Sequence, residues 1–364
     1  MAGHSTSNTQ STIKYFRMRR FSRVSVAMAL VHATLSWQTA QAQYVLPTAD
    51  AEQHARASFP EYLELLAIPN DAADSSAIQK NARWLDAAFA RRGFHTKLLA
   101  NGERQSVLAQ WGEEDPKRKT ILFYMHFDGQ PVDPSAWKTD PWKPALRVRG
   151  EDGTWKDLPI ERLKDSADPE WRVFARSSAD DKGPITMFLA AVDALKARNL
   201  APAVNVKVLL DSEEEKNSPS LHVVMRESAE LLASSGMVIY DGPMVPGNKP
   251  GIAFGTRGSI QIDLSVFGPR AAVHSGAGGN IVPNPAMRLA SLLASMKDLD
   301  GRVTIPGFYN KVQVSEDDER EMAKIAPPTA TLRKTYGIAS VDGGGKYTNA
   351  VQAVEYPSRD IIDV

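Results

Sequence analysis

The chain has 364 residues, 43 Lys and Arg against 43 Asp and Glu, and no Cys. This length allows about two domains, and a balanced charge without a basic stripe argues against nucleic acid as a partner. The lack of Cys excludes disulfides, thiolate metal ligands and cysteine nucleophiles, so any metal must be held by His, Asp and Glu.

The first 42 residues have the pattern of a signal peptide. Five Lys and Arg residues between positions 14 and 23 precede an uncharged apolar run at 24 to 37. An Ala-Gln-Ala sequence at 40 to 42 then offers small residues where a signal peptidase reads. The apolar run is shorter than the roughly 20 residues that span a membrane, although an uncleaved anchor is the alternative. The sequence predicts an exported protein, periplasmic or secreted, with no membrane contact after cleavage.

The next part of the chain predicts alternating helices and strands. Segments with apolar residues at helical spacing alternate along the chain with nearly continuous apolar runs. Such runs are typical of strands buried on both faces. The helices are predicted at 60 to 68, 76 to 92 and 184 to 199, and the strands at 120 to 125, 204 to 210 and 237 to 240. This alternation predicts an α/β fold with a layered sheet.

The pattern changes near residue 255. Residues 259 to 267 alternate strictly between apolar and polar, as expected of a half-buried antiparallel strand. A helix is predicted to follow, opened by Asn284 and Pro285. The sequence therefore predicts one domain over 43–252 and a second, α+β domain over 253–364.

Four acidic or histidine-containing clusters stand next to these predicted elements. Three follow predicted buried strands, and the fourth precedes the helix at 184. In chain order they contain His126 and Asp128, Asp180 and Asp181, Glu213 to Glu215, and Asp241. The carboxyl ends of strands form the ligand crevice of an open α/β sheet, so we expect the clusters to share one cleft.

Crowded carboxylates in a cleft predict a bound cation. Two of them 4 Å apart repel by about 4 kcal/mol at an effective dielectric constant of about 20. Imidazole and carboxylate ligands without thiolates suit zinc, manganese or cobalt. A di-metal phosphatase is disfavoured, because no group of Lys and Arg accompanies the acidic loops.

In this order and spacing the clusters resemble metallopeptidase family twenty of the MH clan. That family includes carnosinase-like dipeptidases, glutamate carboxypeptidase, aminoacylase and succinyl-diaminopimelate desuccinylase. The sequence WKTDPWKP at 137 to 144 is similar to a segment of the dipeptidase branch. The resemblance covers about residue 50 to the C-terminus. It implies a zinc-peptidase-like catalytic domain, with a mixed, largely parallel sheet, and an inserted α+β lid through which full-length members form homodimers.

The resemblance also implies a ligand set for two divalent metal ions, with zinc as the expected metal. His126 and Asp241 would hold one ion and Glu215 the other, with Asp180 bridging the two. The family uses one further histidine far downstream, but the seven histidines of this chain end at His274. In this respect the sequence resembles a C-terminally truncated member.

The implied catalytic residues are Glu214, Asp128 and His274. Glu214 would be the general base, and Asp128 would orient the ring of the metal-ligating histidine. His274, in a Val-His-Ser-Gly sequence at 273 to 276, would reach the substrate from the lid of a partner subunit. Ser177 and Asn217 stand where the family usually has Gly.

The implied function is metal-dependent hydrolysis of a small peptide. Two alternatives stay open at this point. One is an N-acyl amino acid deacylase or desuccinylase of the same family, and the other is a non-catalytic remnant. An assay of dipeptides against N-acyl amino acids separates the two enzymes, and a metal count tests the remnant.

Overall fold

The structure is a computed structural model, and part of the chain lies outside its described residues. The described ranges are 47–242 apart from 103 and 167, then 251–252, 262–299, 302–311, 315–325 and 328–340. The predicted signal peptide is not among them. The chain divides into two compact units, Met1–Pro243 and Met244–Val364. The predicted domain boundary at 252 stays a prediction.

The first unit alternates helices with strands. Its helices are α1 (Thr48–Leu66), α2 (Ser75–Ala90), α3 (Lys182–Ala197), α4 (Leu221–Glu227) and α5 (Ala229–Leu232). Its strands are β1 (Phe94–Asn101), β2 (Arg104–Trp111), β3 (Thr120–His126), β4 (Ala145–Arg149), β5 (Trp155–Leu158), β6 (Trp171–Phe174), β7 (Asn205–Asp211) and β8 (Gly236–Ile239). Three short 3₁₀ turns lie at Pro134–Ala136, Ile160–Lys164 and Glu214–Lys216.

The main sheet is mixed, which confirms the predicted α/β class. Its five strands follow the order β1-β2-β7-β3-β8. The three strands predicted from apolar runs, β3, β7 and β8, pair in parallel, whereas β1 with β2 and β2 with β7 are antiparallel. A smaller antiparallel sheet, β5-β4-β6, was not predicted. The carboxyl ends of β3, β7 and β8 therefore meet at one edge.

Apolar layers cover both faces of the main sheet. Strand β7 is buried along its whole length, and its neighbouring residues point to opposite faces, as a strand requires. Val208 packs with Leu85 of α2 and Leu189 of α3 in one cluster. Leu209 packs with Val224 of α4 and Leu232 of α5 in another. The sheet is thus a middle layer whose position fixes the edge where the acidic clusters lie.

The first helix starts earlier than predicted. A proline start was expected at 60, but α1 begins at Thr48 and Pro60 lies inside it. The apolar residues Phe59, Tyr62, Leu63 and Leu66 belong to one packed cluster. Their helical spacing continues across Pro60, so this packing supports the turn that the proline weakens.

The second unit has helices among its described residues, separated by irregular segments. Its helices are α6 (Ser275–Gly278), α7 (Pro285–Ala294), α8 (Glu316–Ile325) and α9 (Thr329–Tyr336). Asn284 caps α7 by accepting from the N–H groups of Ala286 and Met287, which confirms the predicted helix start. The strand predicted over 259 to 267 is wrong for 262 to 267, which are irregular. Their alternating pattern has no strand partner among the described residues. Nor is any described helix both long and apolar enough to span a bilayer.

Candidate metal centre

His126 is the last residue of β3 and is fully buried. The register of the sheet sets it opposite Asp211 of β7. Its Nε2 lies 2.8 Å from Asp180 Oδ1 and 3.6 Å from Asp241 Oδ2. One atom from each of the three residues lies within 4.8 Å of the other two. The structure thus brings together three of the four predicted metal ligands.

Asp128 connects this histidine to the pair of glutamates. It is fully buried, and its Oδ1 lies 3.3 Å from His126 Nδ1. That distance is within ion-pairing range, but Nδ1 has no partner at strict hydrogen-bond geometry, so we regard the contact as an electrostatic one. The two Asp128 oxygens also accept from the backbone N–H groups of Glu214 (3.0 Å) and Glu215 (3.1 Å).

The glutamate pair lies in the 3₁₀ turn after β7, and both side chains are half-buried. Glu215 Oε2 accepts from Gln130 Nε2 at 2.6 Å, and Glu215 is outside the three-residue group. Burial raises the pKa of both carboxyls. Neighbouring carboxylates add to this, with Asp241 among those that act on Glu214.

The electrostatics of the cluster favour a cation. Burial lowers the pKa of His126, but the contact with Asp128 and the charges of Asp181 and Asp241 outweigh it and raise the pKa to about 10. Burial also raises the pKa of Asp241, and the charge of Asp180 adds to the effect. In both cases nearby negative charge makes added positive charge favourable.

Asp181 has a supporting position that the sequence did not assign to it. It is fully buried, and its Oδ2 accepts from the backbone N–H of His126 at 3.0 Å. Burial raises its pKa to about 8, with Asp241 and Asp180 contributing. The peptide bond between Asp180 and Asp181 is cis.

Asp211 organises the loop that carries the glutamates. Its Oδ1 accepts from the N–H groups of Ser212 (2.6 Å) and Glu213 (3.2 Å). Its Oδ2 accepts from the hydroxyls of Tyr124 (2.9 Å) and Ser218 (2.7 Å). Sequence reasoning missed this role, although an Asp that closes an apolar strand was a signal for it.

His274 belongs to the second unit. It precedes α6 and is exposed, and its Nδ1 accepts from the N–H of Gly276 at 3.0 Å. Its predicted role at the substrate stays a prediction.

The three-residue group fits a divalent cation. Tetrahedral zinc with ligand bonds of about 2.0–2.1 Å holds its ligand atoms about 3.3–3.4 Å apart, and the two distances from His126 Nε2 lie on either side of that value. One imidazole with two carboxylates is an ordinary zinc, manganese or cobalt donor set. Nε2 is the ring atom that faces Asp180 and Asp241, whereas Nδ1 faces Asp128.

A mixed sheet with a histidine and carboxylates at the carboxyl ends of its parallel strands agrees with the zinc-peptidase-like architecture that the family resemblance implied. The chain belongs to the peptidase family M20/M25/M40, whose family model matches residues 122–353. This confirms the family to which the clusters pointed.

Relatives in this family are peptidases by name. The chain is 30% identical over 209 residues to the Cys-Gly metallodipeptidase dug1 of Schizosaccharomyces pombe, a match covering 57% of this chain and 39% of the relative. It is 31% identical over 221 residues to the Beta-Ala-His dipeptidase of Mus musculus, covering 60% and 40%. The chain therefore spans about two fifths of the length of these curated relatives.

Solved structures show the same fold. An M20 family metallo-carboxypeptidase from Sulfolobus solfataricus aligns with TM-score 0.63 and 24% identity, covering 84% of this chain and 65% of the other. Human carnosine dipeptidase 1 aligns with TM-score 0.55 and 23% identity, covering 79% and 60%.

Proposed function

We propose that this chain carries the metal-binding centre of a metal-dependent hydrolase that cleaves the amide bond of dipeptides or short peptides. The observation that carries the proposal is the convergence of His126, Asp180 and Asp241 beside Glu214. Family membership and the dipeptidase names of the relatives support it.

The three grouped residues would hold a divalent cation through His126 Nε2 and one oxygen each of Asp180 and Asp241. A cation bound there would acidify a water molecule and polarise the scissile carbonyl. Zinc is our first choice, with manganese or cobalt as alternatives. The Asp180 side chain is 62% exposed, which leaves its second oxygen accessible to a second ion. Glu215 would help to hold that ion.

Glu214 would move the proton. Its backbone N–H is fixed by Asp128, which also lies against the histidine. A half-buried carboxylate anchored in this way can accept the proton of the attacking water and return it to the leaving amine nitrogen. Asp128 would act through both neighbours, because it holds the turn and orients the His126 ring.

A metal-rescue assay tests the proposal. The purified chain is stripped with a chelator and supplied with zinc, manganese or cobalt. The substrates are Cys-Gly, β-Ala-His and simple dipeptides, with N-acetyl and N-succinyl amino acids for comparison. We expect slow dipeptide hydrolysis that the metal restores and that His126→Ala abolishes. Faster cleavage of the N-acyl amino acids would contradict the substrate class, and metal-independent cleavage would contradict the mechanism.

We also propose that the protein is exported, on the basis of the signal-peptide pattern of residues 1 to 42. N-terminal sequencing of exported protein should begin at Gln43. A mature N-terminus that still contains the apolar run at 24 to 37 would contradict cleavage and favour an anchor.

A further inference from the structure

Asn70, in the loop after α1, contacts both loops that carry ligands. Its side chain is fully buried. Nδ2 donates to the carbonyl of Phe127 at 2.8 Å and to the hydroxyl of Ser177 at 2.9 Å. Phe127 lies between His126 and Asp128, and Ser177 lies three residues before Asp180. One amide group thus joins the backbone after β3 to the Ser177 side chain of the other loop.

Close packing reinforces this connection. The N–H of Gly129 donates to the backbone carbonyl of Asn70 at 2.8 Å. A Cβ added to Gly129 would collide with Ser177 Oγ and would approach the Asn70 amide to 3.1 Å. The segment after β3 therefore lies directly against Asn70 and Ser177, without room for a further methyl group.

Ser177 has an unusual backbone for its type. Its φ is +59°, in the left-handed region that disfavours residues with a Cβ, and its side chain is buried. Such outliers persist where the surrounding structure holds them. Here the hydroxyl is held by Asn70, which is the described side chain that hydrogen-bonds to it.

Other contacts fix the Asp180 loop to a different part of the molecule. Tyr62 donates to the carbonyl of Ser178, and Lys182 Nζ donates to the carbonyls of Leu65 and Ile68. These contacts join the loop to α1 and to the residues directly after it, but they do not reach β3. Asn70 instead contacts both ligand loops at once, as the Asp181 carboxylate does where it accepts from the N–H of His126.

We propose that Asn70, acting with Ser177, is a positioning residue that sets the separation between His126 and Asp180 before the metal binds. The inference rests on the proposed metal-dependent function. The 2.8 Å spacing of Nε2 and Oδ1 depends on how the two ligand loops are held. Asn70 hydrogen-bonds to both, to one through the Phe127 carbonyl and to the other through the Ser177 hydroxyl. Loss of a supporting contact behind metal ligands typically weakens metal binding by about 10- to 100-fold.

Asn81 provides a matched control for the test. It is also a fully buried Asn, and its Nδ2 also donates to two backbone carbonyls, Pro69 at 2.8 Å and Ala77 at 2.9 Å. In both residues Oδ1 is buried without a partner. The hydrogen bonds of Asn81 do not reach either ligand loop. Asn70→Ala and Asn81→Ala therefore each remove a buried amide with two donated hydrogen bonds, but only Asn70→Ala removes one that contacts the ligand loops.

The experiment measures metal affinity and stability in the full chain. Zinc dissociation constants come from competition with a chromophoric chelator, cobalt(II) coordination from the visible spectrum, and stability from thermal unfolding of the metal-free protein. Both variants should lose stability. Only Asn70→Ala should raise the zinc dissociation constant, by about 10- to 100-fold, and only Asn70→Ala should change the cobalt spectrum.

Ser177→Gly keeps the test decisive if Asn70→Ala does not fold. Glycine relieves the positive φ, so unfolding should occur at an equal or higher temperature, while the lost hydroxyl should weaken zinc binding less than Asn70→Ala does. Equal affinity losses in Asn70→Ala and Asn81→Ala would overturn the positioning role. The positioning role would also be overturned if Ser177→Gly left the zinc affinity unchanged and Asn70→Ala either did not fold or bound zinc normally. A wild-type chain that binds no metal would overturn the proposed function itself.

Discussion

Asp128 and His126 are separated by one residue, and the residue between them explains their arrangement. Phe127 turns into the main apolar cluster, so both polar neighbours remain at the sheet edge. There Asp128 lies against the histidine ring and accepts from the N–H groups of Glu214 and Glu215. One carboxylate thereby links the metal-ligand candidate to the general-base candidate.

The two glutamates of the 3₁₀ turn should respond differently to the same substitution. Glu214→Gln should lower dipeptide turnover by about 10²–10⁴-fold, because a general base is lost, while metal content stays at the wild-type level. Glu215→Gln should weaken binding of the second, loosely held ion, because Glu215 is assigned to ligation of that ion. Kinetics and metal titration of both variants check this, and equal weakening of metal binding in the two would contradict the assigned roles.

At single positions the sequence indicated the candidate functional residues better than the residues that hold them in place. The shared cleft of His126, Asp180 and Asp241 could be predicted because polar residues that end or precede apolar elements collect at one edge, whereas the family resemblance implied their roles as ligands. Asn217 stands where the family usually has Gly, and its φ of +62° is a left-handed conformation that Asn adopts more readily than most residues. The role of Asn70 could not be predicted, since its partner Ser177 is 107 positions away and only the folded chain brings them together.

Among the elements, strands with continuous apolar runs were predictable and strands with interspersed polar residues were not. Strand β1 lies at one edge of the main sheet and contains polar residues such as His95, Thr96 and Lys97. Partial exposure removes the apolar signal on which the prediction of β3 and β7 relied. The same limit applies to the small β5-β4-β6 sheet, where much of each strand is accessible.

Arg92, which follows α2, forms one ion pair with an acidic residue of α1 and another with an acidic residue of α3. The guanidinium of Arg92 hydrogen-bonds to both oxygens of Glu61 on α1 and to both oxygens of Asp193 on α3. The Arg92 side chain is only 10% exposed. Burial raises the pKa of Glu61, but the hydrogen bonds and charges of Arg92 and Arg91 outweigh it and leave this pKa below its usual value.

A lowered pKa of Glu61 predicts a pH-dependent stability. The contribution of its ionised carboxylate is fully present above the unfolded pKa of about 4.3 and is lost as the pH falls through the lower folded pKa. Glu61→Gln should therefore cost about 1.5–3 kcal/mol at neutral pH, as for hydrogen bonds to charged groups, and much less in acid. Thermal unfolding across pH measures this. A cost of Glu61→Gln that stays the same from neutral pH into acid would contradict this role of the ionised carboxylate.

For the whole molecule, the balance of charge hides its distribution. The formal net charge is zero, yet His126 is surrounded by Asp128, Asp180, Asp181 and Asp241. The family model spans residues 122–353 and so includes parts of both compact units. Within the described residues the metal-ligand candidates that come together all belong to the first unit.

This distribution predicts the number of metal ions that the chain binds tightly. The described residues contain one group of three ligands, the usual number for a catalytic zinc. A second ion would rely on Asp180 and Glu215, two carboxylates without an imidazole of their own. Elemental analysis of the soluble chain should give a metal-to-chain ratio near one, with low dipeptide turnover because two metals are not in place together. His126→Ala should bring the ratio close to zero, whereas a ratio of two with rapid turnover would contradict this count and require a further ligand outside the group.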